Sequence, residues 1–197
     1  MSYSDYSTGN ITIANNTFVN CGTGIQTAGG ATIHPENMTF TGNSFTNCTY
    51  GIRLGYVSSS DWYTNSINIL NNTMTGETYG VVIYSGSTNT TVQNNTFSSC
   101  TTPVRDSSTS STYRFNVGLT GYCMLNVTVV GSGSTSPSGL GWQYSAGSTV
   151  PVIWTPSTGY TRQDISIDGT SQSTTVSPLN VTMSTDHVVV GYFVNAP

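Results

Sequence analysis

Acidic residues are the first candidates for chemistry, because enzymes that cut polysaccharides use clustered carboxylates as general acids, bases or cation ligands. The acids here are scattered: none forms an Asp-Asp or Asp-x-Asp pair, and none recurs at one position of every sequence repeat. Glu36, Asp61 and Asp106 lie near corresponding repeat positions and could form a weak cation site, but ordinary solvated loop acids are the simpler interpretation. We therefore expect no catalytic residue, no metal site and no cofactor. The acids are Asp5, Glu36, Asp61, Glu77, Asp106, Asp164, Asp168 and Asp186.

The two histidines offer little more. His34 and His187 are far apart in the sequence, and neither has an acidic or cysteine neighbour at metal-ligand spacing. We interpret both as loop histidines. Serine is so common in this chain that a serine–histidine pairing indicates nothing without geometry.

The charge of the chain argues against two classes of partner, nucleic acids and anionic membrane surfaces. The formal net charge is −4, only 6% of the residues are charged, and the four cations are all arginines: Arg53, Arg105, Arg114 and Arg162. A nucleic-acid binder needs a cationic stripe to displace counterions, and an anionic membrane surface also requires one. No apolar run approaches the length of about 18 residues that a membrane helix needs. We expect no nucleic acid partner and no membrane insertion by this chain.

A sequence repeat is the element that must position these side chains. Similar segments begin at Asn10, Asn37, Ser66 and Asn89, a period in the twenties that is typical of a solenoid. Each copy has an alternating apolar strand, an asparagine corner followed by a large apolar residue, and then a turn glycine or proline with a β-branched pair. The large apolar residues are Phe18, Phe45, Met74 and Phe97; the closing pairs are Gly24-Ile25, Gly51-Ile52, Gly80-Val81 and Pro103-Val104.

Three short strands per copy describe one coil of a parallel β-helix. Residues 10 to 116 resemble the right-handed parallel β-helix repeats of the pectin-lyase-like superfamily, of the carbohydrate-binding and sugar-hydrolase type. The resemblance implies that the second asparagine of each corner points inward and that these amides stack into a hydrogen-bonded ladder. Coils about 4.8 Å apart would allow such stacking. The predicted ladder residues are Asn16, Asn43, Asn72 and Asn95.

The cysteines share one repeat position. Cys21, Cys48 and Cys100 occupy it, and Glu77 replaces cysteine in the third copy. Inward thiols that pack as small hydrophobes explain the pattern. The alternative is two disulfides, Cys21–Cys48 and Cys100–Cys123, which suit an oxidising compartment. Cys48 and Cys100 would be two coils apart, too far for a bond.

The asparagine corners also contain glycosylation signals. Either an Asn- and Thr-rich sequence produces the triplets by chance, or glycans supply the solubility that charge does not. The outer asparagine of each pair would face water while its neighbour faces inward. The candidate acceptors are Asn10, Asn15, Asn37, Asn47, Asn71, Asn89, Asn94, Asn126 and Asn180.

Variable segments follow the third strand of each copy and concentrate aromatic residues on one side of the predicted solenoid. Planar rings there suit sugar stacking or protein contacts, although tyrosine is also an ordinary strand residue that packs against loops. The candidate contact residues are Tyr50, Tyr56, Trp62, Tyr63, Tyr79 and Tyr84.

A second domain follows the repeats. We predict domains at 1–118 and 119–197, the latter a small antiparallel β domain with an Asp168-Gly169 hairpin. The segments "VTVVGSGSTSPSG", "YSAGSTV", "TPSTGY", "IDG" and "VTMSTDHVVVGYF" resemble the internalin B-repeat family of β-grasp-like extracellular modules. The resemblance implies a spacer or adhesive unit without catalysis.

The sequence therefore predicts an all-β chain, with a short right-handed parallel β-helix of about four coils followed by an antiparallel β domain. We expect a non-catalytic structural or adhesive protein, extracellular or on a cell surface, that contacts itself or other surface components. Assembly into a filament or surface layer is one form of this function. The alternatives are a glycan-binding module and a fragment of a polysaccharide lyase or hydrolase. No leader precedes the repeats, so we expect a processed form or a piece of a longer protein.

Overall fold

A computed structural model describes residues 9–27, 34–55, 64–108, 110–173 and 175–197. These residues form 21 β-strands, and the described parts of the chain contain no helix. The chain divides into two compact units, residues 1–120 and 121–197. The predicted all-β fold is confirmed.

The first unit is a solenoid of three parallel sheets. Each sheet gains one strand per repeat, so the orders are β1-β4-β7-β10-β13, β2-β5-β8-β11 and β3-β6-β9-β12. The strands are β1 Thr12–Ala14, β2 Thr17–Val19, β3 Thr23–Thr27, β4 Thr39–Thr41, β5 Ser44–Thr46, β6 Tyr50–Leu54, β7 Asn68–Leu70, β8 Thr73–Thr75, β9 Tyr79–Ile83, β10 Thr91–Gln93, β11 Thr96–Ser98, β12 Thr102–Asp106 and β13 Thr112–Arg114.

The repeats stack in strict register. Phe18 pairs with Phe45, Phe45 with Met74, and Met74 with Phe97, so like side chains lie above one another inside the solenoid. The rings of Phe18 and Phe45 are parallel, with centroids 4.9 Å apart. Every strand contributes one or two inward apolar residues, and burying them removes the apolar face that a single coil would expose.

The sequence suggested turn residues at the glycines of the β3-β6-β9-β12 sheet, but the structure places these glycines inside strands. Gly24, Gly51 and Gly80 lie within β3, β6 and β9. A Cβ atom on Gly51 would lie 2.6 Å from the carbonyl oxygen of Gly80, and one on Gly80 would lie 2.5 Å from that of Pro103. Glycine is needed here because adjacent coils approach too closely for a side chain.

The asparagine ladder forms as predicted. The backbone N–H and the Nδ2 amide of Asn43 both donate to Oδ1 of Asn72, at 2.9 and 3.1 Å. Asn72 repeats the pattern toward Asn95 at 2.9 and 3.0 Å. The second Nδ2 hydrogen of Asn72 reaches back to the carbonyl oxygen of Phe40 at 2.9 Å. Each inner amide, at Asn43, Asn72 and Asn95, therefore joins three consecutive coils.

The ladder has a fifth member that the sequence analysis missed. Asn95 donates from its backbone N–H and from Nδ2 to Oδ1 of Asn116, each at 3.0 Å. Asn116 Nδ2 donates to the carbonyl oxygen of Val92. Phe115 precedes Asn116 where the other copies have asparagine or glycine, so the double-asparagine spelling is absent there.

The second unit contains two sheets, ordered β16-β14-β21-β18-β19 and β15-β17-β20. Its pairs are antiparallel, as predicted, except that β14 and β21 run parallel. The strands are β14 Tyr122–Val130, β15 Gly133–Ser136, β16 Gly139–Ser145, β17 Thr149–Pro156, β18 Tyr160–Ile167, β19 Thr170–Ser171, β20 Leu179–Thr182 and β21 His187–Asn195.

The core of the second unit surrounds the indole of Trp154, which is fully buried beside Phe193 with ring centroids 5.7 Å apart. The predicted hairpin at Asp168-Gly169 connects β18 to β19. Both turn residues have positive φ, 51° and 79°, as a type I′ turn requires.

Removing an inner rung of the ladder should destabilise the solenoid. Asn72→Ala leaves the donors of Asn43 and the carbonyl oxygen of Phe40 buried without partners. We expect a loss of about 2–4 kcal/mol in the free energy of unfolding, measured by urea denaturation followed with far-UV circular dichroism. Asn16→Ala is the control, since Asn16 is exposed at the end of the ladder, and it should cost less than about 1 kcal/mol. Equal losses for the two variants would contradict this account.

Candidate functional site

Two acids of the described solenoid, Glu77 and Asp106, have side chains engaged in structural contacts. Asp106 accepts hydrogen bonds from the Tyr113 hydroxyl at 2.6 Å and from the backbone N–H of Ser108 at 2.7 Å. The backbone of Glu36 forms a β-bridge with Asn65. Asp5 and Asp61 lie outside the described residues. Within the described ranges, no three His, Cys, Asp or Glu side chains come together in a way that could hold a metal ion.

The shared cysteine position forms a column at one corner of the solenoid. The sulfurs of Cys21 and Cys48 are 2.6 Å apart, and the Cys100 thiol donates to Oε2 of Glu77 at 3.3 Å. All four cysteines of the chain are free thiols in this structure. Cys123 is buried in the core of the second unit. The predicted partners Cys21 and Cys48 are therefore brought together as free thiols, and neither of the two predicted disulfides is formed.

Burial governs the acidity of this column. Glu77 is fully buried, and its Oε1 is a buried atom without a hydrogen-bond partner. Desolvation raises the pKa of Glu77 above its usual value. Burial and the adjacent carboxyl raise the pKa of Cys100 to about 11. Burial and the neighbouring Cys48 likewise raise the pKa of Cys21 to about 11. Cys21 and Cys100 thus remain protonated thiols at neutral pH, and a protonated thiol is a poor nucleophile for catalysis.

Three of the predicted aromatic contact residues form one cluster around an arginine. Tyr50 and Tyr79 pair in register, and their parallel rings stack with centroids 5.2 Å apart. The Arg53 guanidinium carbon lies 5.1 Å from the ring centre of Tyr50 and 5.3 Å from that of Tyr84. These four half-buried residues form the tyrosine–arginine cluster. Tyr56, Trp62 and Tyr63 lie outside the described residues.

The cluster uses part of its ring surface internally. One face of Tyr50 lies against Tyr79, and Arg53 makes a cation–π contact with the same ring. Such contacts leave ring edges and hydroxyl groups, rather than both ring faces, for a ligand. Arg53 is the member that the sequence analysis did not include, because only the register of β6 places it between two tyrosines.

The seven candidate glycosylation sites of the solenoid share one backbone conformation. Their asparagines are exposed and have φ between 52° and 63°, in the left-handed region. Asparagine tolerates this region better than most residues, and glycine replaces it at Gly42 and Gly76. The residues are Asn10, Asn15, Asn37, Asn47, Asn71, Asn89 and Asn94.

The same geometry explains the threonines of these triplets. Two residues after the corner asparagine, Thr12, Thr17 and Thr73 each begin a strand, where a β-branched side chain is favoured. The triplet Asn-x-Thr is therefore a solenoid corner followed by a strand start. This account requires no glycan, and glycan attachment stays a prediction.

The two remaining candidate acceptors lie in the second unit. Asn126 is half-buried in β14, and its Oδ1 accepts a hydrogen bond from the backbone N–H of Gly141 at 2.8 Å. Asn180 is exposed in β20. Of the two, Asn180 has the accessible side chain.

His187 is not the isolated loop histidine that the sequence suggested. It begins strand β21, and its Nδ1 lies 2.7 Å from Oδ2 of Asp168 while its Nε2 lies 3.1 Å from the carbonyl oxygen of Thr182. A ring protonated on both nitrogens would donate to both acceptors. The backbone N–H of Val188 donates to Asp168 Oδ1 at 2.8 Å. That bond and His187 lower the pKa of Asp168.

An apolar groove of about 470 Å³ lies on the second unit and was also missed. Trp142 and Tyr144, two residues apart on β16, contribute aromatic surface, and the other apolar lining residues are Pro137, Val150, Pro151 and Ile153. The Trp142 indole is fixed by donating to the carbonyl oxygen of Ser138 at 2.9 Å.

The described residues include no helix of the length and apolarity needed to cross a membrane.

Comparison with known proteins identifies the repeat region. A family model described as a right handed beta helix region matches residues 2–119, which is more than half of the chain. No curated protein and no solved structure matches the chain.

The corner conformation can be separated from glycosylation by three variants that all destroy the same triplet. Asn94→Val places a β-branched residue at φ 56° and should lower the free energy of unfolding by about 1–2 kcal/mol. Asn94→Gly and Thr96→Val should leave it nearly unchanged, because glycine adopts this φ and Thr96 is an exposed strand residue. Urea denaturation of unglycosylated protein measures all three. If Thr96→Val were as unstable as Asn94→Val, the backbone explanation would be wrong.

The Asp168 contacts should make the second unit sensitive to acid. The pKa of Asp168 is lower in the folded protein, so its stabilising effect is complete above the unfolded value of about 3.9 and is lost as the pH falls through the folded value. As the pH falls through this range, the Asp168→Asn variant should lose less stability than the wild type, because asparagine carries no charge to titrate. Urea midpoints read from tryptophan fluorescence at several pH values would test this. Parallel curves for the two proteins would exclude the role of Asp168.

Proposed function

Since this chain belongs to the right-handed β-helix family, we propose that it is a non-catalytic structural or adhesive protein of the cell surface or extracellular space. In this proposal the solenoid is a rigid stalk and the second unit is a spacer or contact module. The repeat type of the pectin-lyase-like superfamily and the internalin B-repeat character of the second unit are parts of the same proposal.

The asparagine ladder is the observation that carries the proposal. Its inner members, Asn43, Asn72 and Asn95, are at most 1% exposed, and each bonds to the coil before and the coil after it. Buried amide networks with every member satisfied hold a fold in one arrangement. Such a scaffold resists bending between coils, as a stalk must.

The outer surface supports a role outside the cell. The corners present exposed asparagines, and the surface carries few charges for its size. Hydroxyl and amide groups, rather than charged groups, therefore provide most of the polar contact with water. The adjacent thiols of Cys21 and Cys48 are compatible with an oxidising compartment.

Self-assembly is the form of this function that the strand pairing supports. Among the described residues, β1, β2 and β3 each pair on one side only, with β4, β5 and β6. Edge strands with unpaired N–H and C=O groups can accept a strand from another molecule. We propose that end-to-end contacts between copies extend the stalk.

A glycan-binding module is the second candidate, and the tyrosine–arginine cluster favours it. Tyrosine hydroxyls and an arginine on a rigid sheet can donate hydrogen bonds to sugar hydroxyls, and ring edges provide apolar contact. This role would be compatible with adhesion.

The proposal is tested by combining an assembly assay with a depolymerisation assay. We expect sedimentation velocity to show association that grows with protein concentration, elongated particles in negative-stain images, and no oligosaccharides released from a panel of uronate-containing and neutral polysaccharides. Released oligosaccharides would contradict a non-catalytic role and favour the lyase or hydrolase alternative. A monomer at every concentration would contradict self-assembly.

The same panel separates adhesion through the cluster from simple scaffolding. Polysaccharide binding that Tyr79→Ala abolishes and Tyr79→Phe only weakens would favour the glycan-binding candidate, because phenylalanine keeps the ring stack and loses the hydroxyl. Binding that is unchanged in both variants would exclude the tyrosine–arginine cluster as its site.

A further inference from the structure

Cys21 and Cys48 form an isolated pair of thiols on two consecutive coils. They are 27 residues apart in sequence, yet their sulfurs lie 2.6 Å apart. A disulfide needs sulfurs at about 2.05 Å, so a small side-chain adjustment would suffice to form the bond. The backbone N–H of Thr49 donates to the carbonyl oxygen of Cys21, which fixes the two coils in this register.

The rest of the column excludes other partners for these thiols. Glu77 holds the next position, so Cys100 is two coils away from Cys48 and instead donates its thiol hydrogen to Glu77. Glutamate cannot exchange with a disulfide. The pair therefore has one possible bond, and the column cannot rearrange by passing a disulfide from coil to coil.

We propose that Cys21 and Cys48 form a reversible disulfide that staples the first described coil to the second. The two thiols lose two protons and two electrons and gain one S–S bond; a low-molecular-weight disulfide takes up the electrons and protons and becomes two thiols. This inference is independent of the proposed adhesive or structural role.

The position of the pair gives the staple its effect. In the described structure, β1, β2 and β3 have neighbouring strands on one side only, and Asn16 is exposed whereas Asn43 is 1% exposed. A coil that is paired on one side has one interface instead of two and opens more readily than a coil paired on both sides. A covalent bond between these two described coils opposes such opening because it removes conformational freedom from the opened state.

The reactivity of the thiols determines how the staple is switched. Because Cys21 has a pKa of about 11, little thiolate is present at neutral pH. Closure by a small disulfide should therefore be slow at neutral pH and faster at alkaline pH. Once closed, the bond is shielded by the burial of Cys48, which is 2% exposed.

The four arginines allow the bond to be assigned directly. Trypsin cleaves after Arg53, Arg105, Arg114 and Arg162, so Cys21 and Cys48 share the peptide 1–53, while Cys100 and Cys123 lie in separate peptides. The full chain is oxidised with oxidised glutathione, alkylated, digested without reductant and measured by mass spectrometry. We expect peptide 1–53 to be two hydrogens lighter and unalkylated, and peptides 54–105 and 115–162 each to be alkylated once. Disulfide-linked pairs of peptides, or alkylation at all four cysteines, would overturn the proposal.

Hydrogen exchange measures the effect of the staple on the coil. In the oxidised wild type, the amides of β1–β3 should exchange at least about tenfold more slowly than after reduction. The exchange rates of the amides of β9–β12 should be the same in both states. Cys100→Ser should retain this difference, because serine can still donate to Glu77, whereas Cys21→Ser should abolish it. Equal exchange in oxidised and reduced wild-type protein would overturn the stapling role without involving any variant.

Discussion

The in-register stacking of one coil on the next, at the spacing of a β-ladder, is the constraint on which this structure depends. It forces each residue to lie above its counterpart, so a side chain that satisfies one coil must also satisfy its neighbours. Asparagine at the inner corner meets this condition because an amide carries both a donor and an acceptor. Asn72 uses both to bind the coils on either side. A side chain with only one kind of group could not continue the ladder.

The same constraint explains features that otherwise suggest chemistry. The Asn-x-Thr triplets follow from left-handed corners and strand starts, and the close approach of Gly51 to Gly80 follows from stacked backbones. The tyrosine stack of Tyr50 and Tyr79 and the cysteine pair arise because equal types recur at equal positions. A repeat protein thus concentrates particular side chains in columns, and a column is where its contacts or modifications can develop.

Much of the fold was predictable, and the misses have physical causes. The resemblance to β-helix repeats implies the ladder at corners spelled Asn-Asn or Gly-Asn. Asn116 was missed because Phe115 stands at the outer position while keeping the left-handed conformation. The contact between His187 and Asp168 was missed because strand pairing in the second unit joins residues 19 positions apart, and no local pattern reports that pairing. Arg53 was missed for the same reason: its position between two tyrosines depends on register and not on sequence neighbours.

The sequence by itself determined the solenoid, because a period in the twenties with an alternating strand in each copy lets stacked coils bury the apolar faces that single coils would expose. It also determined the chemistry of most corners, since asparagine and glycine adopt positive φ at a lower cost than other residues. Only the tertiary structure decided which cysteines meet, which acids are buried, and that Glu77 separates Cys48 from Cys100. Those relations depend on distances of a few ångströms between side chains of stacked strands. Composition and spacing indicate which column a residue occupies but not the contacts it makes there.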